Sequence, residues 1–231
     1  MNIELSLYFC VTILVNQTTT MKYISLFAFL GMLLLASCAK APKSQKAEAN
    51  EAEKEQNKAG ATFTLDAAKT AVKWIGTKVT GKHDGTIKVK EGKLITQGNE
   101  LVGGEFIIDM NTIECLDLQA GKGKEDLEKH LKAPDFFDVQ KYPTAKLVIT
   151  EVKKEQNGQY SHKIKANLTM KEVTKSIEFG ANVTVNENTV SAVSNFNIDR
   201  TQWGVNYEGK KDNLIRKEIN FDINLTANKA S

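Results

Sequence analysis

Apolar and polar residues alternate one by one along several stretches of this 231-residue chain. The longest such stretch, residues 160–170, collects one set of side chains on a single face: Tyr160, His162, Ile164, Ala166, Leu168 and Met170. Side chains of a β-strand point alternately to opposite faces, so the pattern predicts a strand with one apolar face. Similar alternation over 176–185, 190–198 and 218–225, and a shorter version over 145–149, predicts further strands.

Turn-forming residues separate the predicted strands. They occur at Asp84-Gly85, Glu91-Gly92, Asn157-Gly158 and residues 186–188, and they predict antiparallel hairpins. About eight to ten strands, each with one apolar face, must cover that face by closing into a barrel or by stacking two sheets. A closed barrel of about eight strands is either filled by its own side chains or holds one ligand, and periodicity does not choose between these.

One segment has a different period. Between Gly121 and Pro134, acidic residues come early, basic residues come late, and Leu127 and Leu131 are four residues apart. This order suits the dipole of a short amphipathic helix that ends before Pro134. The two adjacent aromatics that follow, Phe136 and Phe137, predict that the helix and its exit cap one end of a barrel.

The N-terminal residues, 1–37, predict a leader. Met21-Lys22 precedes a charge-free run over 23–36 that is too short for a comfortable membrane span but long enough for a signal peptide. The run ends in Leu35-Ala36-Ser37-Cys38, which resembles a bacterial lipoprotein signal in which the cysteine is lipidated and becomes the first mature residue; an ordinary signal with a chance cysteine is the alternative. Residues 1–20 fit neither kind of signal well, so we expect translation to start at Met21.

The stretch that follows the signal, residues 38–60, is rich in Lys, Glu and Ala and has no aromatic or β-branched residue. Its composition predicts a flexible tether between the lipidated Cys38 and a folded domain over residues 61–231. With Cys38 lipidated, Cys115 has no intramolecular partner in the mature chain, so no disulfide is expected.

Charge and motifs exclude several functions. The formal net charge of +3 is small for a dedicated nucleic-acid binder, so no nucleic-acid partner is expected. The chain has no G-x-S-x-G, P-loop or G-x-G-x-x-G motif, so it is not expected to be an enzyme or to hold a cofactor. His83, His130 and His162 lack paired metal-ligand spacing, and separate roles are favoured over a three-histidine metal site.

Three motifs in the predicted domain resemble those of the YceI-like family. They are HLKAPDFFDVQKYP at 130–143, ANLTMKEVTKSIEF at 166–179 and DRTQWGV at 199–205. The resemblance covers about residues 62–228 and implies a closed, lipocalin-like antiparallel β-barrel whose long apolar tunnel holds a polyisoprenoid or another long-chain amphiphile. With the lipid anchor, it implies a carrier, buffer or sequestering protein of the bacterial cell envelope, facing the periplasm. The alternative is a non-enzymatic interaction protein with a filled barrel that binds a partner through its loops; neither function indicates an oligomeric state.

Large side chains on the alternating faces and in the proposed cap are the candidate ligand-binding residues. They are Phe106, Ile108, Phe136, Phe137, Tyr160, His162, Ile164, Leu168, Phe179, Phe196, Trp203 and Phe221. For His162, contact with a ligand head group and a hydrogen-bonded place at the barrel rim both remain open. For Asp199-Arg200, too, two roles remain open: recognition of an anionic head group, or a structural role at the end of a strand.

Overall fold

The computed structural model describes residues 40–155 and 158–230, so the leader and Cys38 lie outside the described residues. These residues form eleven strands and one α-helix, together with short 3-10 helices at Ala67–Lys69 and Arg200–Trp203. The strands are β1 Gln45–Lys46, β2 Ala61–Leu65, β3 Ala71–Lys78, β4 Gly81–Gln97, β5 Glu100–Cys115, β6 Thr144–Lys154, β7 His162–Met170, β8 Val173–Val185, β9 Thr189–Asp199, β10 Gly209–Lys210 and β11 Asn213–Lys229. The helix, α1, is Lys124–Lys132. In the part of the chain described, no helix is long and apolar enough to cross a membrane.

Eight antiparallel strands close into a barrel. β4 to β9 pair in chain order, β9 pairs with β11, and β11 returns to β2 and β3, which pair with β4. β2 and β3 act as one strand interrupted by the first 3-10 helix. This continuous strand pairing confirms the predicted closed barrel. Closure removes the exposed edges of the sheet and covers its apolar face.

The predicted inserted helix is confirmed as well. α1 has Glu125 and Asp126 in its first turn and Lys129, His130 and Lys132 in its last turn, as the helix dipole favours. The chain leaves it at Ala133, before Pro134, and the Phe137 and Val139 amides donate to Leu131 and Lys132 carbonyls. This tight exit holds Phe136, which is 5% exposed, against the end of the barrel.

Two of the predicted turns are wrong. Asp84-Gly85 and Glu91-Gly92 both lie within the long strand β4. A Cβ on Gly85 would lie 2.4 Å from the Trp74 ring, and one on Gly92 would lie 2.3 Å from the Phe106 ring. These glycines therefore make room for aromatic side chains rather than for a turn, a use that a glycine in a strand often has.

The N-terminal segment, residues 42–59, is docked on the barrel, which corrects the expected flexible tether. Its strand β1 pairs in parallel with β9, Asn50 exchanges two backbone hydrogen bonds with Ser176 of β8, and Glu53 binds Asn167 of β7. Composition predicts whether a segment can supply core residues, and this one supplies few. Hydrogen bonds to polar groups on the strands hold it instead.

Candidate functional site

The barrel encloses an apolar cavity of about 210 Å³. Its walls come from every barrel strand except β2, and Leu131, Phe136 and Phe137 close it on the α1 side. Along β11 alone, the alternate residues from Ile219 to Leu225 line it, which corresponds to about 20 Å of strand. The cavity is therefore elongated, as a space for an extended chain must be.

Most of the candidate ligand-binding residues lie in this lining. These are Phe106, Ile108, Phe136, Phe137, Ile164, Leu168, Phe179, Phe196 and Phe221. They come from five strands and from the exit of α1, and they meet because alternate residues of a closed barrel face its interior. Their part in binding a ligand remains a prediction.

Three candidates lie elsewhere. Tyr160 precedes β7, packs its ring over Gly180, and donates its hydroxyl to the Asn195 carbonyl. Gly180 lies between the lining residues Phe179 and Ala181, so the Tyr160 ring covers the opposite face of β8. Trp203 is fully buried beneath the second 3-10 helix, where its indole N–H donates to the Leu168 carbonyl at 2.8 Å.

His162 is also outside the lining, although it is 6% exposed. Its Nδ1 lies 2.8 Å from the Ser161 hydroxyl, which in turn receives a hydrogen bond from the Val183 amide. Burial lowers the pKa of the His162 imidazole below its ordinary value, and the charge of Lys154 lowers it further. These contacts fit the hydrogen-bonded alternative better than contact with a ligand in the cavity.

Sequence reasoning missed a large part of the lining. The strands β3, β4 and β5 contribute residues that were not among the candidates, such as Val72, Trp74, Ile87, Leu94, Leu101 and Met110. Only Lys73 separates Val72 from Trp74, and the flanking Ala71 and Ile75 are apolar as well, so the apolar–polar alternation is too short to indicate which side chains face inward. In β4 and β5, irregular register at three places shifts the alternation between the two faces.

The charged residues in the lining gather near the α1 cap. They are Arg200 at the end of β9 and Arg216 and Glu218 on β11. Arg200 is 2% exposed, and its guanidinium donates to the carbonyl oxygens of Val205, Tyr207 and Arg216. It also lies over the Phe136 ring, 5.3 Å from the centroid.

Burial lowers the pKa of Arg200, with Asp199 and Glu208 acting in the opposite direction. Asp199 itself caps the following 3-10 helix by accepting from the Thr201 amide and hydroxyl. The Asp199-Arg200 pair therefore organises the strand end. Arg216, which is exposed, is the more accessible cation at this end of the cavity.

One group of possible metal ligands lies close together among the described residues: His83, Cys115 and Asp117. Asp117 accepts from the Cys115 thiol at 3.1 Å and from the Asp84 amide, and its other oxygen lies 2.9 Å from His83 Nδ1. Desolvation of the fully buried Cys115, with its hydrogen bond to Asp117, raises the pKa of the thiol. The three side chains thus satisfy one another, and they lie outside the cavity lining.

A closed antiparallel barrel around an elongated apolar cavity, with charged side chains gathered near one end, defines a lipocalin-like barrel. The chain belongs to the family of YceI-like domains, which it matches over residues 63–227. This range includes α1 and the barrel strands, apart from the first two residues of β2 and the last two of β11, and leaves out the docked N-terminal segment.

Curated relatives and solved structures agree with this assignment. A UPF0312 protein of Pseudomonas putida (strain GB-1) is 32% identical over 97 residues, which is 42% of this chain and 47% of that protein. One from Photorhabdus laumondii is 37% identical over 70 residues, covering 30% of this chain and 34% of its own length. The matches thus span less than half of each relative.

Two solved structures share the fold. Burkholderia cenocepacia BcnA superposes with a TM-score of 0.59 at 18% identity, covering 71% of this chain and 99% of its own. A polyisoprenoid binding domain from Saccharophagus degradans superposes with a TM-score of 0.56 at 15% identity, covering 74% and 99%.

Proposed function

We propose that this protein binds a long-chain isoprenoid or a similar amphiphilic lipid in its barrel cavity, without catalysing a reaction. The observation that carries the proposal is the cavity itself, elongated and lined almost throughout by aliphatic and aromatic side chains. Transfer of each CH2 group from water to such surroundings contributes about 0.8 kcal/mol, so a long apolar chain binds tightly without any catalytic group. The polyisoprenoid binding domain from Saccharophagus degradans, which has the same fold, supports an isoprenoid as the ligand class.

The charged residues near α1 suggest how the ligand is oriented. Arg216 and Glu218 line the cavity where β11 begins, whereas the wall around Leu94 and Leu101 is apolar. A polar head group therefore finds hydrogen-bonding partners beside Arg216, and the chain extends toward Leu101. An apolar pocket with a few polar groups that fix orientation is the usual form of a small-molecule site.

The place of action in this proposal is the bacterial cell envelope, with the protein anchored by lipid on Cys38 and facing the periplasm. The Leu35 to Cys38 motif after a signal-length apolar run supports it. A membrane-anchored barrel with an apolar cavity suits a carrier, a buffer or a sequestering protein for a membrane-derived lipid. The partners are then the lipid and the membrane.

Mass spectrometry of organic extracts from the purified protein tests the proposal. The wild type should copurify with, or take up, one long-chain lipid per barrel, and Ala181→Trp, which fills the cavity, should not. A wild type that neither copurifies with isoprenoids nor takes them up from solution would refute lipid binding. The chain would then be better explained as an interaction protein that binds partners through its loops.

A further inference from the structure

The wall of the barrel is incomplete between β8 and β9. These two strands pair only from Asn182 to Val185 on β8 and from Val190 to Val193 on β9. Beyond this hairpin they part, although β8 extends back to Val173 and β9 continues to Asp199. The seam, defined here as residues 176–181 of β8 facing 194–199 of β9, lacks the ladder that joins the other neighbouring barrel strands.

Residues 45–50, here named the wall segment, occupy the seam. Gln45 and Lys46 pair in parallel with Phe196 and Asn197, and the Ala47 amide donates to the Asn197 carbonyl. On the opposite side, Asn50 pairs with Ser176. Ala47 is 2% exposed and packs within the hydrophobic core, so the wall segment is part of the wall and not a covering of its outer surface.

The Gln45 side chain joins the two strands where their own ladder stops. Its Nε2 donates to the Gly180 carbonyl at 2.9 Å and to the Asn195 carbonyl at 3.0 Å, and its Oε1 accepts from the Gly180 amide. A carboxamide presents the same donor and acceptor as a peptide group. Gln45 therefore replaces, with a side chain, backbone hydrogen bonds that β8 and β9 do not make to each other.

The cavity lies directly behind the seam. Phe179, Ala181, Ser194 and Phe196 flank the seam and also line the cavity. The rings of Phe179 and Phe196 meet across it, with their centroids 4.5 Å apart. Removal of the wall segment would leave only side chains between the cavity and the outside.

We propose that the seam is a lateral entrance for the ligand and that the wall segment is its removable gate, an inference that rests on the proposed function. Apart from the Gln45 side-chain bonds, the wall segment is held by one short parallel backbone pairing and a two-bond backbone contact with Ser176, whereas β9 and β11 pair over eleven residues. Segments with few backbone hydrogen bonds open locally at much lower free energy than the core strands do. If the ligand instead entered at the α1 end of the barrel, Phe136 would have to leave a site where it is 5% exposed.

The wall segment lies close in sequence to the proposed membrane anchor. Only residues 39–44 separate the wall segment from Cys38, the proposed lipid anchor. A pull on the anchored end first reaches the hydrogen bonds that Pro42 and Ser44 accept from Asn197 and Asn220. The Gln45 bonds that join the seam come next along the chain. An apolar chain leaving the membrane would then enter between β8 and β9, without threading the cap.

A disulfide staple tests the gate. Lys46 and Asn197 are register partners on paired strands, a spacing that a disulfide accepts. The full-length Lys46→Cys/Asn197→Cys variant would be oxidised or reduced in the same detergent, and uptake of dansyl-labelled geranylgeraniol followed by fluorescence. We expect association to be about tenfold slower or more when oxidised, with unchanged affinity, because the staple blocks the local opening. Lys46→Cys alone should show no redox effect.

A second variant keeps the test decisive if the staple disturbs folding. Gln45→Ala removes the three Gln45 hydrogen bonds across the seam and leaves the one that Ser194 Oγ donates to the Gly180 carbonyl. The seam should therefore open more readily, and association and release should both become about tenfold faster. Gln97→Ala is the matched control, because Gln97 holds the other end of the N-terminal segment through the Ala59 carbonyl and lies away from the seam. It should leave both rates unchanged.

The outcomes separate the gate from the binding function. Equal association rates for the oxidised and reduced staple, or an unaltered rate for Gln45→Ala, would overturn the lateral entrance and leave lipid binding in place. Absence of probe binding by the folded wild type at equilibrium would overturn the proposed function, and the gate with it.

Discussion

The rings of Phe179 on β8 and Phe196 on β9 stack with their centroids 4.5 Å apart and their planes 19° from parallel. Phe221 of β11 extends this group, 6.0 Å from Phe196. Aromatic pairs at such distances contribute about 0.5 to 1.5 kcal/mol beyond the area that they bury. The three rings form one side of the cavity, so packing and the proposed ligand site depend on the same side chains.

Filling the cavity should abolish lipid binding at little cost in stability. Ala181 lines the cavity and faces space that a larger side chain can occupy. We expect Ala181→Trp to lose binding of the dansyl-labelled probe, because its indole takes the place of the ligand chain. The free energy of unfolding, measured in urea, should change by less than about 1 kcal/mol.

Ala166→Trp is the matched control for this substitution. Ala166 is fully buried on the same face but is not part of the cavity lining. The added ring should therefore overpack the core and destabilise the fold by about 1 to 3 kcal/mol. Similar losses of stability for both variants would show that the barrel is filled.

Substitution of the two tryptophans should distinguish a residue that only packs in the core from one that also contacts the ligand. Each donates its indole N–H to a backbone carbonyl, Trp203 to Leu168 and Trp74 to Thr86, but only Trp74 lines the cavity. Trp203→Phe removes the indole hydrogen bond and part of a fully buried ring, and should cost about 1 to 3 kcal/mol of stability without changing lipid affinity. Trp74→Phe should alter affinity as well, measured by equilibrium titration with the same probe. A large loss of affinity in Trp203→Phe would contradict this division.

Periodicity predicted the barrel because the hydrophobic pattern is local information. The alternation over 176–185 specifies which face of β8 is buried, and the family resemblance then indicates closure. The wall segment could not be predicted in this way. Ala47 is buried because β8 and β9 part, and the partners of Gln45 and Glu53 lie far away in the sequence.

Prediction from the sequence is limited in the same way at the candidate site. Phe106 and Phe221 were found because large residues on an alternating face usually point inward. Trp203 has the same residue type and is even more buried, but a 3-10 helix directs it away from the cavity. Residue type and period predict burial, and they do not distinguish the lining of a cavity from the packed core around it.

His162 should make stability fall as the solution becomes more acidic. Burial lowers its pKa below the ordinary value of 6.5, so the unfolded chain takes up a proton before the folded chain does. Its stabilising contribution is therefore complete above about pH 6.5 and is lost as the pH falls toward the pKa of the folded state. We expect the unfolding midpoint in urea to decrease between pH 7 and 5 by more in the wild type than in His162→Gln.

His130→Gln provides the comparison for this pH series. His130 is partly exposed on α1, with Asp135 3.4 Å from its ring. Its variant should retain the wild-type decrease, since His162 is still present. If His162→Gln and the wild type lose stability in parallel, the decrease arises from other groups.

Anchoring through Cys38 is the last prediction. Cys38 lies outside the described residues, and its assignment depends on the Leu35 to Cys38 motif after a charge-free run. Stable membrane attachment takes more than one acyl chain, a condition that a bacterial lipoprotein meets. Cys38→Ser should therefore move the protein from the membrane fraction to the soluble fraction, as judged by immunoblotting after a carbonate wash. Cys10→Ser, which changes a cysteine upstream of the expected start at Met21, should leave it in the membrane fraction. A Cys38→Ser protein that still pellets with membranes after the wash would rule out this anchor.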